Sequence, residues 1–118
     1  MKNYQELEKL VIEWAHEKGI MEKATPVAQG LKTMEECEEL LEALNAQKLG
    51  LHNFINSKGK MMNTHDELKD ALGDILVTII IQSALQEFSL EDCLEGAYNV
   101  ISKRNGKMVN GTFVKDAN

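Results

Sequence analysis

Isoleucine stands at three consecutive positions, 79, 80 and 81, within the segment ILVTIIIQSAL. On a helix these side chains point in directions about 100° apart, so no face of that half of the segment is freely solvated. Val77 to Ile81 is β-branched and a strand competes, but apolar spacing continues unbroken from Leu68 to Leu85. That is too long for a strand. A chain of 118 residues has room for one modest core, and four helices of this length do not easily wrap a central one on every side. The predicted solution is burial against further copies of the chain, in a homodimer or homotetramer.

Composition agrees with helices. Only one Pro and 8 Gly occur and aromatics are 5%, too little punctuation for the turns that a sandwich or barrel needs every 8–12 residues or so. Start signals place four helices, at about 4–18, 26–49, 65–88 and 90–104. The first follows Asn3 with Glu6 three residues on, carries Leu7, Leu10, Val11, Trp14 and Ala15, and ends at Gly19. Thr25-Pro26 opens the second, with Thr33 and Glu36 as a competing start. Thr64 opens the third, with Glu67 placed to complete a capping box. Ser89 opens the fourth, with Asp92 in its first turn, and Asn105-Gly106 supplies a left-handed stop. Residues 50–63 show no sustained period and read as a loop. In the tail, 105–118, Asn110-Gly111 signals a type I′ hairpin, and a lone two-stranded ribbon must lie on something. The expected fold is all-α: an antiparallel four-helix bundle with a short C-terminal hairpin or extended tail, a single domain over 1–118, assembled as an oligomer.

Lys and Arg number 13 against 19 Asp and Glu, a formal charge of -6. A chain so balanced is not expected to coat nucleic acid, and to handle phosphates it needs cations as intermediaries. The segment MKNYQELEKL lacks the basic and apolar regions of a secretory signal. Ile75 to Ile81 covers about a third of the roughly 20 residues that span a bilayer. Cys37 and Cys93 have no CxxC partner and read as buried thiols of a cytoplasmic protein. His16, His52 and His65 are scattered without paired spacing, which suits surface or capping positions better than zinc.

The acidic residues are the informative ones. With Asp74 at zero on the wheel of the third helix, Val77, Ile81 and Leu85 fall within about 60° of it, and Asp70 and Glu67 lie on the same stripe one and two turns back. A carboxylate in line with large apolar residues points inward, where an anion is costly unless paired or metal-bound. Gly73 costs up to about 1 kcal/mol in a helix and suggests a close approach beside Asp74. The second helix offers Glu35, Glu36, Glu38, Glu39 and Glu42 within KTMEECEELLEAL. Its apolar stripe is Met34, Cys37, Leu41 and Leu44, and its wheel does not single out which glutamates face inward. Two such helices side by side gather oxygens suited to a hard cation such as Mg²⁺.

MEECEELLEAL followed by DELKDALGDIL resembles the paired acidic helices of the MazG-like, all-α nucleoside triphosphate pyrophosphohydrolases. AYNVISKRNGKMVNGTFVK is similar to the C-terminal segment of small, phage-type members. The family's EExxE falls on Glu35, Glu36 and Glu39. Aligned on Gly73-Asp74, the Glu of its ExxD motif falls on Ala71; the literal ExxD is Glu67 to Asp70, one turn earlier, and Asp70 shares a face with Asp74. The resemblance implies Mg²⁺, with Mn²⁺ as the substitute, held by Glu35, Glu36, Glu39, Asp70 and Asp74. Glu36 would activate water, Lys103, Arg104 and Lys107 would meet the pyrophosphate, and Asn99 and Tyr98 the nucleotide. It implies cleavage of a nucleoside triphosphate to monophosphate and pyrophosphate, in nucleotide-pool housekeeping. Two alternatives stay open: an inactive acidic helical module that docks a basic protein, and the same fold acting on dUTP or a phosphorylated metabolite.

Overall fold

The computed structural model describes residues 1–117. They form helices α1 (Tyr4–Glu17), α2 (Ile20–Lys23), α3 (Pro26–Lys48), α4 (Thr64–Gln86) and α5 (Leu90–Ile101), with strands β1 (Asn53–Ile55), β2 (Met61–Asn63), β3 (Gly106–Val109) and β4 (Thr112–Lys115). The chain is thus mostly helical, with two small antiparallel hairpins, β1–β2 and β3–β4. It divides into two compact units, Met1–Glu87 and the residues from Phe88 onward. No helix is long and apolar enough to cross a membrane among the described residues.

Side-chain caps set most helix starts. Asn3 accepts the Glu6 N–H at 2.9 Å, and Ser89 accepts that of Asp92 at 3.2 Å. Thr25 accepts the Ala28 N–H at 3.1 Å, so α3 begins at Pro26 and Thr33 lies inside the helix. The third expected start is corrected. Asn63 is the cap of α4, accepting the Asp66 N–H at 2.9 Å, while Thr64 is buried and donates its hydroxyl to the Leu51 carbonyl at 2.8 Å. Glu67 is therefore not part of a capping box.

In the first unit α4 packs along α3 and also against α1. Gln29 Nε2 donates to the Thr78 carbonyl at 3.2 Å, and Gln82 Nε2 to the Pro26 carbonyl at 2.9 Å. The partners fall along α4 as they rise along α3, so the two helices are antiparallel. The Thr33 hydroxyl lies 2.9 Å from that of Thr78, which donates to the Ile75 carbonyl at 2.7 Å. The buried hydrophobic residues are few and mostly small: Ala15, Ala43, Ala46, Ala71, Ile80 and Ile81.

That core corrects the wheel of α3. Its buried residues are Gln29, Glu36, Ala43 and Ala46, a polar and small-residue face turned to α4. The stripe expected inside is outside, with Met34 61% and Leu41 57% exposed, and Leu44 and Cys37 exposed as well. Small residues on the facing stripe permit close helix approach, and the larger apolar groups are left on the other side. Cys93 is also exposed, so neither cysteine is a buried thiol. On α4, Ile80 and Ile81 are buried while Ile79, Leu76 and Leu72 are exposed. Among the described residues Gly73 has no neighbour within 4 Å of where a Cβ would stand, so the close approach expected beside Asp74 is not found among them.

Residues 50–63, expected as a loop, contain the β1–β2 hairpin, with Phe54 opposite Met62. Its strands of 3 residues are too short to display alternation in sequence. Asn56 closes the turn, its Oδ1 accepting the N–H groups of Lys58 at 3.0 Å and Lys60 at 2.9 Å. In the second unit, α5 stops at Ile101, short of Arg104, with Ser102 in right-handed geometry. The expected left-handed stop at Asn105-Gly106 is replaced by the start of β3, where a Cβ on Gly106 would strike the backbone of Val114 and Lys115. The expected C-terminal hairpin is present: Asn110 and Gly111 take φ of 50° and 82°, the double positive that a type I′ turn requires.

Candidate metal centre

Glu36 and Glu39 stand one turn apart on α3, and Asp74 faces them from α4. One carboxylate oxygen from each lies within 4.8 Å of the other two. Glu36 is buried, Glu39 half-buried and Asp74 exposed. The Oε2 atom of Glu36 is buried without a hydrogen-bond partner among the described residues, which is costly for an anionic oxygen. Lys32 approaches the other oxygen, Oε1, at 3.6 Å.

The electrostatics follow from this crowding. Burial raises the pKa of Glu36, and the adjoining carboxyls of Glu39 and Asp74 raise it further, against Lys32. For Asp74, loss of water around the carboxylate leads even though the residue is exposed overall, with Asp70 and Glu39 adding to the rise. Glu67 is raised too, by burial first and then by the charges of Glu39, Asp70, Asp74 and Glu42. The acids of both helices share one field of unbalanced negative charge. All the donors are hard carboxylate oxygens, and one oxygen of Glu36 is buried without a partner among the described residues; the set fits a hard divalent cation.

The residues expected at the site are distributed unevenly. Glu36, Glu39 and Asp74 converge. Glu35 is exposed and turns to cations, with Lys32 at 3.4 Å and Lys58 at 3.9 Å. Asp70 is exposed and outside the group of three, but its charge acts on Asp74 and Glu67. Glu42 serves the hairpin, accepting the Ser57 N–H at 3.3 Å. Ala71 is fully buried, so the position aligned with the family's Glu belongs to the core, and Glu67 is the neighbouring acid that feels the cluster. Tyr98, Asn99, Lys103, Arg104 and Lys107 all belong to the second unit and are exposed. There Lys103 and Arg104 line a cavity of about 570 Å³ with Asn105 and Lys115.

Sequence reasoning missed the cations of the first unit and the cavity at its acids. Lys58, at the tip of β1–β2, reaches Glu39 at 3.3 Å; only the hairpin brings it there, and that hairpin has no periodic signal. Lys32 sits one turn before Glu35-Glu36, a spacing that a helical wheel does reveal. Burial works against its charge, but Glu35 and Glu36 outweigh that and hold its pKa above the ordinary value. Beside the acids is a cavity of about 450 Å³, walled by Trp14, Ile20, Ala24, Ala28, Val77 and Ile81 and edged by Gln29, Lys32, Glu36, Asp74 and Thr78. A second, of about 360 Å³, shares Trp14, Asp74 and Val77 with it. Trp14 thus lines open space rather than core.

No curated protein and no solved structure matches this chain. One family does, the MazG nucleotide pyrophosphohydrolase domain, over residues 25–109. The match spans α3, α4 and α5, and with them all three converging carboxylates. The chain belongs to the MazG nucleotide pyrophosphohydrolase domain family.

Proposed function

We propose that this protein hydrolyses a nucleoside triphosphate to the monophosphate and pyrophosphate with the help of Mg²⁺, Mn²⁺ substituting. The observation that carries the reading is the meeting of Glu36, Glu39 and Asp74 oxygens within 4.8 Å, with one buried oxygen unpartnered. These three side chains would hold the cation, with Asp70, Glu67 and Glu35 around them. When bound, such an ion neutralises the phosphates and acidifies water. Glu36 is the base: its Oε2 takes the proton from the attacking water as the α–β phosphoanhydride P–O bond breaks. Trp14 and the apolar wall of the adjoining cavity accommodate the nucleoside end.

The exposed apolar stripes support a four-helix bundle completed by a second copy, in a dimer or tetramer. On α3, Leu31 and Met34 are each 61% exposed. From Glu91 onward every described residue is exposed, more apolar surface than a unit of this size leaves to water. The setting is cytoplasmic and the role is removal of surplus or aberrant nucleotides. The test is a panel of nucleoside triphosphates with Mg²⁺, scoring pyrophosphate against orthophosphate. Pyrophosphate is the expected product. Orthophosphate alone would refute the reaction class, and no product from any nucleotide would favour a module that docks a basic partner.

A further inference from the structure

Lys32 is the only cation lining the cavity that also holds Glu36 and Asp74, among the described residues. Its ammonium is shared between two carboxylates, 3.4 Å from Glu35 and 3.6 Å from Glu36. Neither distance is that of a tight charge-assisted hydrogen bond. The side chain stays half exposed on the long flexible stem that lets a lysine re-aim. A divalent cation between Glu36, Glu39 and Asp74 would offset two of their three negative charges and so loosen the hold of Glu36 on Lys32, leaving the exposed Glu35 as its partner. Held then by an exposed pair worth little, the ammonium is free to turn to an anion brought into the cavity it lines, where the acid site opens.

We propose that Lys32 is an exchangeable counter-ion: it guards Glu36 while the acids are bare, and transfers to a phosphate of the substrate once the metal is seated. This rests on the metal-dependent reading of the site given above, and it adds a phosphate-binding residue in the first unit, on the same helix as the acids. Two consequences have opposite signs. Lys32 competes with the metal, so removing it tightens metal binding. Lys32 also receives the phosphate, so removing it weakens anion binding to the metal-loaded protein.

The experiment compares the full-length protein with Lys32→Met, which keeps the apolar stem, and with Lys32→Arg. Two affinities are measured by calorimetry: Mn²⁺ alone, then inorganic tripolyphosphate at saturating Mn²⁺. For Lys32→Met, Mn²⁺ is expected to bind about two- to fivefold more tightly, the worth of an exposed ion pair. Tripolyphosphate is expected to bind about tenfold more weakly, the scale of a lost charge-assisted contact. Lys32→Arg keeps the charge and is expected to restore the tripolyphosphate affinity. A general loss of structure would weaken both. Weaker Mn²⁺ binding in Lys32→Met, or unchanged tripolyphosphate binding, would overturn the counter-ion role while leaving the metal site standing. A native protein that takes up neither probe would overturn the metal-dependent reading, and this assignment with it.

Discussion

Replacing Glu36 by Gln keeps the shape of the side chain and removes the charge at the most buried point of the acid cluster. Two like-charge contacts disappear, with Glu39 and with Asp74, each across at most 4.8 Å. At that separation a pair of unit charges repels by about 0.9 kcal/mol in water and about 3.5 kcal/mol at an effective dielectric near 20. Asp74 is exposed and Glu39 half-buried, so the lower figure applies better, giving about 2 kcal/mol for both contacts. Losing the pair with Lys32 subtracts about 0.5–1 kcal/mol. The net gain is about 1–1.5 kcal/mol, or roughly 4–8 °C in Tm for a domain near this size. The assay is thermal unfolding followed by circular dichroism, in chelator and then in Mn²⁺. In chelator the variant is expected to melt higher than the native protein. In Mn²⁺ the order should reverse, because a ligand at about a hundred times its Kd adds about 2.7 kcal/mol to a protein that binds it, and the variant forfeits most of this. A variant that melts lower in chelator, or gains as much from Mn²⁺ as the native protein, would refute the argument that Glu36 is a charged member of a metal-binding cluster.

The pKa values of Glu36, Glu67 and Asp74 are all raised in the folded chain, so above the ordinary carboxylate range the fold binds more protons than the unfolded chain. Stability of the chelated protein therefore falls as pH climbs through the raised values, and pH-dependent melts should show that fall reduced in Glu36→Gln. Glu67 shares the field of Glu39, Asp70 and Asp74, whereas Glu35 pairs outward with Lys32 and Lys58; titration with Mn²⁺ should find Glu67→Gln impaired more than Glu35→Gln. Glu87 closes α4 at φ 60°, a left-handed conformation costing a non-glycine residue about 1 kcal/mol. Glu87→Gly is expected to recover about that much in urea unfolding, without changing metal affinity.

Where local rules decide the structure, the sequence is readable. Asn3, Thr25-Pro26 and Ser89 start their helices through contacts three residues away, and Asn110-Gly111 turns the hairpin with its own backbone angles. The acids of both helices are legible as a group because Asp70 and Asp74 share a stripe with large apolar residues, although both are exposed in the fold and only Glu36 among the three converging acids is buried. What a wheel cannot supply is which neighbour each face meets. The face of α3 toward α4 is the one with Gln29, Glu36 and Ala43, and the leucine and methionine stripe lies outside. Asn63 and Thr64 are adjacent, and either can cap; the reach of the Thr64 hydroxyl to Leu51, a contact made only in the folded chain, settles it for Asn63. Lys58 reaches Glu39 across the β1–β2 turn, a non-local pairing with no trace in the periodicity.

All of this converges on one place between α3 and α4. Crystals grown with Mn²⁺ and measured at the manganese absorption edge locate the ion directly. The anomalous signal is expected among the carboxylates of Glu36, Glu39 and Asp74, and to vanish in Asp74→Asn. Manganese bound elsewhere, or none at millimolar concentration, would contradict the claim that these two helices turn their acids together to hold a hard cation.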